Sequence, residues 1–103
     1  MIDTNKIKRY TLTKPLTAMY SEELLKELTL FASSEKQEYI LDLSEVEEVD
    51  MAGINLLVKI NLLTIKHHSK LLLLLTPGSR LGELLHLTKF NERILVIHTS
   101  NKP

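Results

Sequence analysis

Cysteine is absent from the 103 residues, which excludes disulfides and thiolate metal sites and fits a reducing compartment. Charge of neither sign is in excess. Thirteen Lys and Arg balance thirteen Asp and Glu, so there is no electrostatic footprint for nucleic acid, and no local basic stripe supplies one. Long apolar runs are also missing. The longest is the leucine run Leu71–Leu75, far short of the roughly 20 residues that a membrane helix needs. Met1–Lys6 reads as polar rather than as a signal peptide, so the expected location is the cytoplasm, with no direct insertion into a membrane. No internal repeat or low-complexity linker divides the chain, and 1–103 is expected to be one domain.

Catalytic constellations are equally scarce. No nucleophile stands beside a base, no carboxylates are paired and no metal-ligand cluster is spaced for an ion. Glu45, Glu47 and Glu48 form a charge run of the solvated kind. His67 and His68 are adjacent, and neighbours on a helix diverge by about 100°, a poor geometry for one metal. The expectation is a protein that is not an enzyme and carries no cofactor.

What is present is one organising stretch, Tyr39–Leu63, reading YILDLSEVEEVDMAGINLLVKINLL. A β-rich run, Tyr39–Leu43, enters an acidic loop, Ser44–Asp50, and an apolar-periodic helix leaves it at Met51 or Ala52 and runs to about His67. At the junction Asp50-Met51-Ala52-Gly53, the positive end of a helix dipole and its unpaired amides face outward. Asp50 is placed to cap them. Gly53 leaves room for a close approach by a partner or a neighbouring backbone. Along the helix, Leu56, Leu57, Ile60 and Leu63 make one apolar face, and Asn55, Lys59 and Lys66 a narrow polar strip. A second ridge holds Ile54, Val58, Leu62 and Ile65. Both ridges could be core, or part of the second, with Met51, could be an exposed docking patch.

Around this stretch, Ile7–Thr13 reads as a strand ended by Lys14-Pro15. Thr17 stands at a helix N-cap position before a helix over Ala18–Ser33, with Leu24, Leu25, Leu28 and Phe31 facing the core. Ser34–Glu38 is a polar connection. Lys70–Leu75 reads as a strand buried on both faces, Thr76-Pro77-Gly78-Ser79 as a plain turn rather than a nucleotide loop, and Ser79–Thr88 as a helix turning Leu81, Leu84, Leu85 and Leu87 inward. Arg93–Thr99 is the final strand, and the tail Thr99–Pro103 is expected to fray.

Two blocks of the chain resemble the STAS family, named for sulphate transporters and anti-sigma-factor antagonists. Leu41-Asp42-Leu43-Ser44 with Asp50-Met51-Ala52-Gly53 matches the family's strand and D-[ST]-x-G junction, and Arg80–Phe90 is similar to its R-x-x-E-L-L-x-L-T-G-L. The resemblance covers about residues 7–98. It implies an α/β domain with a four- or five-stranded, mostly parallel or mixed sheet and three or more helices. The family's first strand, at an antiparallel N-terminal edge, would have only about six residues left for it. Two departures stand out. Met51 occupies the position where phosphorylated members carry the acceptor Ser or Thr, and Lys89 replaces a glycine, where strain or a changed turn is expected.

By function, the resemblance implies a protein-interaction regulator of bacterial signalling and transcription. It would bind an anti-sigma factor, a serine kinase of ATPase fold, through Asp50, Met51, Ala52, Gly53, Ile54 and Asn55. With no acceptor hydroxyl, it would bind without the usual phosphate switch. The alternative is an accessory subunit of a lipid-trafficking ABC transporter, bound to the transporter's cytoplasmic ATPase. A structural homodimer through the open N-terminal edge or the second helix is the third option.

Overall fold

The computed structural model describes residues 6–99. Four strands, β1 (Ile7–Thr11), β2 (Glu38–Asp42), β3 (Lys70–Leu75) and β4 (Leu95–His98), alternate with three helices, α1 (Ser21–Phe31), α2 (Met51–Lys66) and α3 (Arg80–Leu87). The sheet order is β1-β2-β3-β4, and all three strand pairs are parallel. The family's extra N-terminal strand would fall largely on residues 1–5, outside the described residues.

Each crossover steps to the next strand in the same direction, so crossovers of one hand lay all three helices on one face of the sheet. Burial follows the strand period of two. Tyr39, Leu41, Leu71, Leu73 and Leu75 point into the helical layer and are almost fully buried, alongside Leu24, Leu28, Leu57, Ile60, Leu81 and Leu85 from the helices. On the other face, Ile40, Leu72 and Leu74 are part-buried and Leu95 and Ile97 exposed, while Asp42 is buried. The expectation that β3 is buried on both faces is therefore half right: one face is core, and Leu72 and Leu74 on the other are part-exposed.

Several boundaries shift for identifiable reasons. Thr17 makes no side-chain cap; a 3₁₀ turn over Ala18–Tyr20 comes first, and the α-helix proper starts at Ser21. Leu25 is 38% exposed and lies at the rim of the α1 stripe. Leu87 is 72% exposed, because α3 is short and its inward residues are Leu81 and Leu85. β4 begins at Leu95, since a second 3₁₀ turn, Phe90–Glu92, takes up the chain before it. Thr99 is tied down by its amide, 2.7 Å from the Leu75 carbonyl oxygen. The rest of the tail lies outside the described residues.

Lys89, at the position of the family's glycine, is left-handed, with φ 61° and ψ 15°. It ends α3 as a glycine would, by turning the chain out of the helix. His68 does the same after α2, with φ 60°. Neither side chain is glycine's, so both turns carry the steric cost of Cβ in that region.

Candidate functional site

The junction is built by a short parallel bridge between Leu16 and Val49. The Leu16 amide donates to the Glu48 carbonyl at 2.9 Å, and the Asp50 amide donates to the Leu16 carbonyl at 3.0 Å. This brings the segment before α1 against the start of α2. The Asp50 carboxylate then serves both helical starts. Its Oδ1 accepts from the Gly53 amide at 3.2 Å, and its Oδ2 accepts from the Ala18 amide at 3.1 Å. The Ala18 bond, with those from Gly53 and Ala52, holds the Asp50 carboxyl below the usual carboxylate range. Asp50 is a charged clamp between two elements, and its acceptor oxygens are engaged inside the fold.

Gly53 is there for a neighbouring backbone. A Cβ on it would lie 2.0 Å from the Leu16 carbonyl oxygen. Gly53 and Ile54 are both buried. Of the residues named from sequence as partner-binding, Asp50, Met51, Asn55 and, in part, Ala52 reach the surface, and Met51 is 45% exposed.

The surface continues down the helix. Met51, Asn55, Val58, Leu62 and Ile65 fall within about 40° of one line along α2. Leu62 is 59% exposed and Ile65 55%, while Val58 is part-buried. The second ridge of the helix is thus split: Ile54 goes to the core, and the stripe from Met51 to Ile65 faces out. Met19, 86% exposed, adds a second thioether beside the junction, because the residue before it is tied to Asp50. A shallow groove between α1 and α2, edged by Glu22, Leu25, Asn55 and Lys59, runs beside the stripe. Sequence reasoning did not find Met19. Its placement depends on the Leu16–Val49 bridge, a contact between segments far apart in the chain.

The two hydroxyls nearest in sequence are both occupied. Ser44 Oγ donates to Asp42 Oδ1 at 2.6 Å. Thr64 is fully buried and donates to the Asn61 carbonyl oxygen at 2.7 Å. On the other side of the loop, Asp42 also accepts from the Ser44 amide and from Arg9 Nη2 at 2.8 Å. Burial works to raise the Asp42 carboxyl, but these bonds outweigh it and hold the group below its ordinary value. Glu45, Glu47 and Glu48 are exposed around the buried Val46 and form an acidic border to the junction.

Among the described residues, no three or more His, Asp or Glu side chains converge to hold a metal ion, and no helix is long and apolar enough to cross a membrane. The family model described as STAS domain matches residues 2–102. No curated protein matches the chain significantly.

Proposed function

The chain belongs to the STAS-domain family, and from that premise we propose that it is a non-catalytic regulator that docks a protein partner of ATPase fold, as an anti-sigma-factor antagonist does. The observation that carries this reading is the apolar stripe Met51–Leu62–Ile65, which leaves the junction along α2 and is exposed among the described residues, with Val58 part-buried between. Exposed apolar surface of this kind on a small domain marks an interaction site. Thioethers such as Met51 and Met19 suit an adaptable contact.

A phosphate at the first residue of α2 would add nearly two negative charges to such an interface. Met51 cannot accept one. In this proposal binding is therefore constitutive, set by the concentrations of the two proteins or by the partner's own state. The acidic border of Glu45, Glu47 and Glu48 would steer a basic rim on the partner.

The test is affinity capture from native lysate with wild type and Met51→Asp side by side. Aspartate in the first turn of a helix is favoured by the dipole, so the variant keeps its fold and a loss of capture reports on docking. An ATPase-fold protein captured by wild type alone supports the reading. An anti-sigma kinase would identify sigma regulation, and a transporter ATPase would identify the alternative of an ABC accessory subunit. Equal capture by both proteins, or capture of no ATPase by either, overturns it.

A further inference from the structure

On the helical side of the sheet, α3 and β4 leave a cavity of about 670 Å³ between them, open to solvent. Register pairs Leu73 with Val96 and Leu75 with His98, so Val96 and His98 share the face that looks toward α3. The floor is apolar: Leu75, Leu85 and Ile94 are almost fully buried, and Val96 packs against the same core. The rim is polar. His86 from α3, Asn91 from the second 3₁₀ turn and His98 from β4 all border the cavity. Among the described residues, none of these three side chains has a hydrogen-bond or ion-pair partner.

The wall contributed by α3 contains Gly82, inside a helix, where glycine is the poorest residue short of proline. A Cβ on it would meet Ser79 Oγ at 3.3 Å and Leu75 Cδ1 at 3.8 Å, and both of those residues border the cavity. At Gly53 a neighbouring backbone excludes a side chain; at Gly82 the space that a side chain would take is cavity.

We propose that this cavity binds a small amphipathic carboxylate, an alkyl acid of medium chain length. Its chain lies on the floor of Leu75, Leu85, Ile94 and Val96, and its head group accepts from His86, Asn91 and His98. Imidazole and carboxamide N–H groups from three separate elements suit a head rich in acceptor oxygens. An ammonium head is poorly served, because the carboxylate on the rim, Glu83, already faces Arg80 at 3.6 Å. The volume falls within the roughly 300–1,000 Å³ of small-molecule sites, which combine apolar walls with a few placed polar groups. From Ser79 to His86 the helical wall runs about 10 Å, room for an extended chain. No residue of the α2 stripe borders the cavity, so this site is separate from the docking surface proposed above.

The test is titration of the full chain at pH 7 with hexanoate, octanoate and decanoate, and with decylamine as the cationic control, followed residue by residue in amide NMR spectra. Decanoate is expected to shift Gly82, His86, Asn91, Val96 and His98 saturably, with affinity rising about fourfold for each methylene added along the series. Gly82→Leu fills the cavity with a better helix former and is expected to abolish binding. His86→Ala/His98→Ala, at two exposed positions, is expected to weaken decanoate about tenfold. The same spectra report whether each variant is folded, and the histidine variant decides the matter where Gly82→Leu is not. The proposal is overturned if decanoate gives no saturable shifts, or if its shifts centre on the outer sheet face or the α2 stripe. It is equally overturned if decylamine binds as tightly as decanoate, or if a folded variant of either kind binds decanoate as wild type does.

Discussion

The carbonyl oxygen of Leu16 lies where a Cβ on Gly53 would be, 2.0 Å from that position, and it also accepts the Asp50 amide at 3.0 Å. The two residues set how closely the first turn of α2 approaches the segment that leads into α1. Gly53→Ala would push these backbones apart and break the bridge. The expected cost is about 3 kcal/mol or more, the upper end for overpacking. Urea denaturation would measure it. A change below about 0.5 kcal/mol, typical of a surface substitution, would show that the contact is slack.

Glycine is scarce where helices end. Of the three glycines, only Gly78 has positive φ, while His68 and Lys89 hold left-handed positions after α2 and α3. Lys89→Gly and His68→Gly should each stabilise the fold by about 0.5–1 kcal/mol, the left-handed penalty of a Cβ less glycine's entropy. Thermal melts would register a rise of a few degrees for each.

Acid should destabilise this protein through identifiable carboxylates. Glu27, held by a hydrogen bond from Tyr10 and by Lys14, joins Asp42 and Asp50 in having a lowered pKa. A group whose folded pKa is depressed contributes stability above its unfolded pKa, about 4, and loses it as pH falls through the folded value. Stability is therefore expected to be level near neutrality and to decline below about pH 4. In Asp50→Asn the acid limb should be shallower, because one of the titrating carboxylates is gone. Denaturant midpoints measured from pH 7 downward decide it, and parallel limbs for the two proteins would contradict the clamp.

The pair Arg9–Asp42 is unequal. Arg9 is 58% exposed at its side chain and Asp42 10%, and Asp42 also accepts from the Ser44 amide and hydroxyl. Arg9→Ala should cost less than about 1 kcal/mol, as exposed ion pairs do. Asp42→Ala should cost about 1–3 kcal/mol, because it leaves the loop's donors without their acceptor. Equal losses in chemical denaturation would mean that the Ser44 bonds contribute nothing.

The sequence was readable where local pattern and tertiary environment agree. Tyr39 and Leu41 alternate as a half-buried strand must, the leucine run stops at Leu75 ahead of its turn, and Asp50 stands one residue before a periodic helix and caps it. It was unreadable where a distant residue decides. The Ala18 amide is satisfied by Asp50, 32 residues away, so Thr17 is not needed as a cap and the chain enters α1 through a 3₁₀ turn. Leu62 and Ile65 carry the same periodicity as buried residues, and among the described residues no element is packed over them. Among the described residues one face of the sheet is uncovered, with the same effect on Leu72 and Leu74: nothing in a run of leucines says which alternate ones lack a cover.

In the proposed reading, Met51 and the stripe below it form the docking surface. The most direct measurement is a calorimetric titration of the captured ATPase-fold partner with wild type, Met51→Asp and Leu62→Asp. Wild type should bind, and each variant should bind at least about tenfold more weakly, a loss of about 1.4 kcal/mol, which is what a contact near the centre of an interface costs. Unchanged affinity in both variants would place the interface elsewhere and leave the Asp50–Gly53 junction as a structural clamp alone.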